Sequence, residues 1–147
     1  MNLEYYSYFT NNDFKDYIFF SEGPKGKIKK VVRFTKIAEF PDVYNLGFGD
    51  ESPETGKVND LIVTDNKDSD VVLRTVAETI ISFNRHYNSC YIYAKGSTPS
   101  RTRLYQIGIA TLLEEIEQNF EVYGLKNDLW LDFERNVNYE AFLIKKK

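Results

Sequence analysis

The spacing of apolar residues changes along this chain, and that change restricts the fold more than any other feature. Val72, Val76, Ile80, Phe83 and Tyr87 recur at helical intervals, so they predict a helix over residues 71–87 with one buried stripe. The segments before this helix are short, rich in β-branched and aromatic residues and bounded by turn signals, which is typical of strands. They predict strands over residues 17–20, 27–37, 43–49 and 61–64, with a polar loop over residues 50–60.

Beyond residue 87 the two patterns alternate. The sequence predicts a central strand over residues 90–94, a second helix over 99–119, a strand over 120–123 stopped by Gly124, and a closing strand over 139–144. Residues 129–135 fit either a short helical turn or a strand. This order predicts an α+β fold, in which two main helices lie on one face of a mixed, mostly antiparallel sheet. No Pro/Gly-rich linker interrupts the chain, so residues 1–147 are predicted to form a single domain.

Composition excludes several classes of function. A net charge of −3 and a pI of about 5.3 argue against duplex DNA binding through the whole surface, which requires a basic protein. One Cys and one His cannot supply a zinc site of Cys and His ligands, so no metal and no cofactor is predicted. Neither a signal peptide nor an apolar run of membrane-spanning length is evident, which predicts a cytoplasmic protein with no membrane association.

Residues 91–105 form the most informative local motif, because a strand leads through a tight turn into a helix. Gly96 permits a close backbone approach, and Ser97 or Thr98 can cap the helix through its hydroxyl. Successive N–H groups at such a turn can hold a phosphate or a carboxylate. The alternative is an ordinary strand-to-helix connection with a good cap, and the spacing matches neither a Walker motif nor a nucleophile elbow.

Two arginines near the start of this helix face different directions. Arg101 lies four residues before Tyr105 and continues the apolar stripe of the helix, so its side chain is predicted to point inward. A buried arginine requires either an internal acid or a bound anion as its partner. Arg103 lies on the opposite, polar side, where either solvent exposure or a ligand contact is open to it.

Three other residues are weak candidates for catalysis. Asp50 and Glu51 follow the predicted strand 43–49 and are the natural acidic partners for Arg101. If they lie apart from it, they could instead hold a metal or activate a water, although their spacing is not typical of a metal site. His86 is the single histidine and stands near the C-terminus of the first helix, where the helix dipole favours a cation. Cys90 has no neighbour that would activate it and is predicted to be a core residue.

The hairpin over residues 17–37 has a basic face. Its cations are Lys25, Lys27, Lys29, Lys30 and Arg33. They could contact a nucleic-acid backbone, but a solvated, charged edge strand that prevents aggregation is the favoured interpretation.

Four blocks of sequence resemble an uncharacterised family of small single-domain bacterial proteins. They are residues 26–34, 44–50 (with Asn-Leu-Gly-Phe-Gly-Asp), 96–105 (Gly-Ser-Thr-Pro-Ser-Arg-Thr-Arg-Leu-Tyr) and 138–142. The resemblance covers nearly the whole chain, and the two middle blocks are its most specific parts. It implies a bacterial domain of unknown function and transfers no catalytic residue.

Three hypotheses for function follow. The first is binding of a phosphate-bearing ligand, either a nucleotide or a nucleic-acid backbone, by Gly96, Ser97, Thr98, Arg101 and Arg103. The second is a nuclease-like or phosphotransfer toxin enzyme, and whether the protein is an enzyme stays open. The third is a protein-interaction module, antitoxin-like or defence-associated, with a purely structural Arg101. An open pocket in front of residues 96–103 would favour ligand binding, whereas a paired Arg101 without a pocket would favour the protein-interaction module. The sequence does not indicate the oligomeric state.

Overall fold

The helices lie in the middle of the sequence, between Ser69 and Asn119, and strands predominate before and after them. The computed structural model describes residues 4–51, 58–59 and 67–147, and these form nine strands and three helices. The strands are β1 (Phe9–Asn11), β2 (Asp16–Gly23), β3 (Gly26–Ala38), β4 (Asp42–Glu51), β5 (Val58–Asn59), β6 (Cys90–Ala94), β7 (Phe120–Lys126), β8 (Leu129–Asp132) and β9 (Ala141–Lys146). The helices are α1 (Ser69–His86), α2 (Pro99–Thr111) and α3 (Leu113–Asn119). None of these helices is long and apolar enough to cross a membrane.

The chain forms two compact units. One consists of Met1–Thr35 and Gly47–Tyr87, and the other of Lys36–Leu46 and Asn88–Lys147. Strands β3 and β4 contribute residues to both units. The prediction of a single domain stays a prediction.

In the first unit, aromatic side chains join the strands to α1. The order of paired strands is β1-β2-β3-β4, with β5 on β4, and the β1·β2, β2·β3 and β4·β5 pairings are antiparallel. The ring of Phe34 stacks on that of Phe83 with centroids 4.1 Å apart, and Tyr17 meets Phe34 edge-on. All three side chains are buried. The prediction for α1 was only partly right, because Val72 and Phe83 of the predicted stripe are buried, whereas the rest of the buried face consists of Thr75, Thr79 and Asn84.

In the second unit, β6 is an interior strand between β4 and β9. The order is β4-β6-β9-β7-β8; β4 pairs with β6 in parallel, and the other pairings are antiparallel. Ile92, Phe142 and Ile144 supply its buried sheet face, and α3 contacts β7. The antiparallel register sets Ala94 opposite Phe142, so the end of β6 lies beside the start of β9.

The α+β class and the mixed, mostly antiparallel sheet are confirmed, whereas several details of the prediction were wrong. The single helix over 99–119 is two helices, separated at Leu112; just before it, the Thr111 hydroxyl donates to the Ile107 carbonyl, an interaction that bends helices. The loop over 50–60 contains the end of β4 and β5. β1 was missed, and the predicted strand 61–64 lies outside the described residues. Of the two alternatives for residues 129–135, the strand is the one that forms, over Leu129–Asp132.

Gly124 does not stop β7, contrary to the prediction. The strand continues to Lys126 because the ring of Tyr139 packs directly on the glycine; a Cβ there would lie 2.3 Å from the ring. Tyr139 in turn precedes β9 rather than opening it, since β9 begins at Ala141.

Candidate functional site

The turn between β6 and α2 is held in shape by close packing at Gly96. A Cβ at this position would lie 2.4 Å from both the Arg101 Cβ and the Thr102 backbone nitrogen, so a larger residue requires the backbone to move. Thr98 is the N-cap of α2, and its hydroxyl accepts a hydrogen bond from the Arg101 N–H at 3.2 Å. Pro99 occupies the first helical position, where its missing N–H costs nothing.

The side chain of Thr102, in the first turn of α2, stabilises the turn before the helix through hydrogen bonds. Its buried hydroxyl accepts from the Gly96 N–H at 3.1 Å, and its distance of 3.2 Å to the Thr98 carbonyl oxygen allows it to donate there. The Thr102 N–H also donates to the Thr98 carbonyl, at 3.0 Å. One side chain therefore satisfies the buried N–H of Gly96 and ties the turn to the first turn of α2.

The segment between β8 and β9 faces the start of α2. The side-chain amide of Gln106 bridges to this segment: its Nε2 donates to the Val137 carbonyl, and its Oε1 accepts from the Tyr139 N–H at 3.1 Å. The Tyr139 hydroxyl accepts from the Glu134 N–H at 2.9 Å and lies 3.2 Å from the Asp132 carbonyl oxygen. These bonds fix the backbone that carries Asn138 and Glu140.

A cavity of about 570 Å³ opens between the turn and this segment. It is lined by Lys95, Gly96, Ser97, Thr98, Pro99, Thr102, Arg103, Gln106, Asn138, Tyr139 and Glu140. Its volume is within the range of small-molecule sites. Most of the lining residues are polar or charged, although their carbon atoms make the exposed surface of the wall more apolar than polar. Lys95 and Arg103 are cations and Glu140 is a carboxylate, so the lining carries a formal charge of +1.

The charged groups of the cavity keep hydrogen-bonding capacity to spare. Arg103 is exposed, and its Nη1 lies 3.4 Å from the Asn138 Oδ1. Within the described parts of the chain, neither Lys95 nor Glu140 has a side-chain partner. The cavity therefore presents two cationic donors, an amide and a carboxylate to whatever enters it.

Arg101 lies behind this wall rather than in it. Its side chain is 9% exposed, as helical phase predicted, and its guanidinium lies 5.8 Å from the centre of the Tyr105 ring. Its Nε and Nη2 are buried and have no hydrogen-bond partner among the described residues. Four of the five ligand-binding residues predicted from the sequence thus line the cavity, and Arg101 packs against the back of Gly96.

The weak catalytic candidates have other surroundings. The Asp50 carboxylate accepts from the Lys30 ammonium at 2.6 Å, in a pair whose side chains are 14% and 3% exposed. His86 stacks on Phe14 with ring centroids 3.6 Å apart, and its Nδ1 lies 3.1 Å from the Ser82 carbonyl oxygen. The side chain of Glu51 lies outside the described residues, and neither Asp50 nor His86 lines the cavity.

The basic hairpin is not a charged edge strand, as one interpretation of the sequence had it. β3 lies between β2 and β4, and three of the five cations form ion pairs: Lys30 with Asp50, Arg33 with Asp16 at 3.0 Å, and Lys27 with Glu22 at 3.8 Å. Lys25, Lys27 and Lys29 remain exposed on the hairpin.

Cys90 is buried in β6 at 2% exposure. Burial, with a smaller contribution from the Asp42 carboxylate, raises the pKa of its thiol to about 11, which keeps the sulfur protonated and unreactive. Across the described residues, no three His, Cys, Asp or Glu side chains come close enough together to bind a metal ion.

The sequence did not predict the wall of the cavity that contains Asn138, Tyr139 and Glu140. On the opposite wall it did not identify Lys95, Thr102 or Gln106 as site residues. A signal was present, because residues 138–142 form one of the blocks that carry the family resemblance. Nothing in the spacing, however, joined that block to a turn some forty residues away.

The chain belongs to a family of unknown function, DUF6934, whose model matches residues 2–147. The predicted membership of an uncharacterised single-domain family is therefore confirmed. No curated protein and no solved structure matches the chain significantly.

Proposed function

We propose that this protein binds a phosphate-bearing small molecule in the cavity at the start of α2. The observation that carries the proposal is the position of the cavity: it lies against the turn of residues 96–98 and includes two cations, Lys95 and Arg103. Lysine and arginine form charge-assisted hydrogen bonds with phosphate oxygens, and arginine can do so through two N–H groups at once.

The backbone of the turn adds to this preference. Thr98 lines the cavity and is the N-cap of α2. No described residue accepts a hydrogen bond from its N–H. The positive end of the α2 dipole lies at the same place. Arg101, whose Cβ packs against Gly96, has two buried guanidinium nitrogens without a partner among the described residues, and it adds a further positive charge near the turn that a bound anion would offset.

The concave shape of the site favours a small molecule over a nucleic-acid backbone. Proteins that follow a single strand combine a charged groove with aromatic platforms for successive bases. Here the charged groups line one cavity, and the ring of Tyr139 is 7% exposed and packed on Gly124. The overall charge of −3 also disfavours a polyanion.

The surroundings of Arg101 weigh against the purely structural alternative. That alternative expected Arg101 to be paired with Asp50 or Glu51 and no pocket to be present. The Arg101 Nε and Nη2 have no hydrogen-bond partner in the described part of the chain, and a cavity is lined by residues 95–99, 102 and 103.

Calorimetric titration with inorganic phosphate and ribose 5-phosphate tests the proposal. We expect saturable binding of ribose 5-phosphate that Arg103→Gln and Lys95→Gln each weaken about tenfold, because each removes one charge-assisted hydrogen bond. Lys126→Gln changes the net charge equally at an exposed position outside the cavity and should bind as the wild type does. Equal affinities in all four proteins, or no saturable binding up to about 10 mM, would refute the proposal.

A further inference from the structure

The wall of the cavity contributed by the segment before β9 differs chemically from the wall contributed by the turn. Lys95 and Arg103 belong to the turn and to α2, whereas Glu140 and Asn138 belong to the segment that Gln106 holds in place. A carboxylate repels phosphate, so Glu140 has to meet another part of the ligand. An ionised carboxylate accepts hydrogen bonds and donates none, which restricts that part to hydroxyl or amine groups.

Glu140 is free to act in this way. Its backbone N–H donates to the Leu125 carbonyl at 2.8 Å, which fixes the main chain, while its side chain is exposed and has no partner among the residues described. Asn138 uses its Oδ1 toward Arg103, and its Nδ2 has no acceptor in the same part of the chain. The Glu140 carboxylate and the Asn138 side-chain amide thus offer one strong acceptor and one donor, two residues apart in the sequence.

The described lining offers no free aromatic ring on which a nucleobase could stack. Tyr139 is the aromatic residue of the lining, and its ring is committed to Gly124 and to Phe133, with ring centroids 5.3 Å apart. Recognition of a flat base usually requires an exposed aromatic or apolar face. The apolar surface of the remaining lining comes from Pro99 and from carbon atoms of glycine and of polar or charged residues, not from a flat ring.

From these observations we infer that the ligand is a phosphorylated sugar or polyol, without a nucleobase. Lys95 and Arg103 hold the phosphate, and the Glu140 carboxylate accepts from hydroxyl groups of the sugar while the Asn138 amide donates to one of them. This inference rests on the proposed function, because it assigns the second half of the same cavity.

The experiment compares three probes with three proteins by calorimetry. The probes are inorganic phosphate, ribose 5-phosphate and adenosine 5′-monophosphate; the proteins are the wild type, Glu140→Gln and the matched control Glu134→Gln, which removes an equal charge from an exposed position outside the lining. We expect the wild type to bind ribose 5-phosphate at least as tightly as the nucleotide and about tenfold more tightly than inorganic phosphate. Glu140→Gln should lose most of that tenfold preference but bind inorganic phosphate as well as before or better, because it removes a repulsive charge. Glu134→Gln should match the wild type.

The outcomes separate this inference from the proposed function. Binding of all three probes that Glu140→Gln leaves unchanged, or a nucleotide affinity clearly above that of ribose 5-phosphate, overturns the assignment of a sugar and leaves phosphate binding intact. Absence of binding by every probe overturns both. Because Glu140 is exposed, a normal melting temperature is expected for the variant, and a lowered one would indicate that the residue supports the fold instead.

Discussion

Replacing Thr102 with valine tests how the turn that precedes α2 is held. Valine keeps the β-branched shape and removes the hydroxyl, so the packing of the side chain is largely preserved. The change deletes the acceptor for the Gly96 N–H at 3.1 Å and the donor toward the Thr98 carbonyl at 3.2 Å. The two losses differ in cost, because the Thr98 carbonyl keeps its bond from the Thr102 N–H and the Gly96 N–H loses its partner.

The magnitude follows from that difference. Gly96 is buried, so its N–H becomes a buried donor without a partner, which costs about 1–3 kcal/mol. For a chain of 147 residues, this loss lowers the melting temperature by about 3–10 °C. Thr102→Ser keeps the hydroxyl and loses one methyl group, which costs about 1 kcal/mol.

Urea denaturation of the wild type and the two variants provides the measurement. We expect the free energy of unfolding to fall in the order wild type, Thr102→Ser, Thr102→Val. In the valine variant the affinity for ribose 5-phosphate should fall too, because the turn is no longer tied to the helix. If valine proves as stable as threonine, or serine is the more damaging change, then packing and not the hydroxyl holds this turn.

Three further predictions concern groups outside the cavity. Burial raises the pKa of the Cys90 thiol from 9.0 to about 11, so the folded state favours the protonated thiol. The resulting contribution to the free energy of unfolding is complete below pH 9, and about 2–3 kcal/mol of it is lost as the pH rises to about 11. The stability of the wild type relative to Cys90→Ala, measured by urea denaturation, should therefore shrink over this window, and a constant difference would contradict the assignment. Lys30→Met leaves the Asp50 carboxylate without its buried partner and should cost about 3–5 kcal/mol of unfolding free energy, most of which an added Asp50→Leu recovers; a double variant as unstable as the single one would argue against a buried pair. The hydrogen bond to Glu121, more than burial, raises the pKa of Tyr123 to about 12, so Glu121→Gln should bring its titration, followed by the ring carbon shifts in NMR spectra, down toward 10, and an unchanged titration would exclude that cause.

Local periodicity was sufficient to predict one wall of the cavity. The strand 90–94, the turn and the start of α2 all lie where apolar spacing, Pro99 and the capping hydroxyls indicated. Helical phase also separated the buried Arg101 from the exposed Arg103. It could not say which of the two meets a ligand, because that depends on where the cavity opens and not on which side chain is buried.

The other wall depends on pairings between distant residues, which a single sequence does not reveal. Gly124 was taken as a strand terminator because glycine weakens strands, yet here it makes room for the Tyr139 ring. Leu129, Trp130 and Leu131 show no alternation because each of them is exposed in β8, so the strand resembled a helical turn equally well. The hydrogen bonds of Gln106 with Val137 and Tyr139 join residues more than thirty positions apart in the sequence. They depend both on the packing of Tyr139 against Gly124 and on the formation of β8.

The register between β6 and β9 explains why the two walls meet. Ala94 pairs with Phe142 in an antiparallel ladder, so the residues that follow β6 and those that precede β9 emerge at the same end of the sheet. Lys95 and Gly96 are therefore brought opposite the segment that carries Asn138 and Glu140. A shift of one position would turn Phe142 out of the core, so the burial of its ring also fixes the alignment of the cavity walls. The pairing of β6 with β9 thus brings together the cationic half of the cavity, at Lys95 and Arg103, and its carboxylate half, at Glu140, although these residues are distant in the sequence.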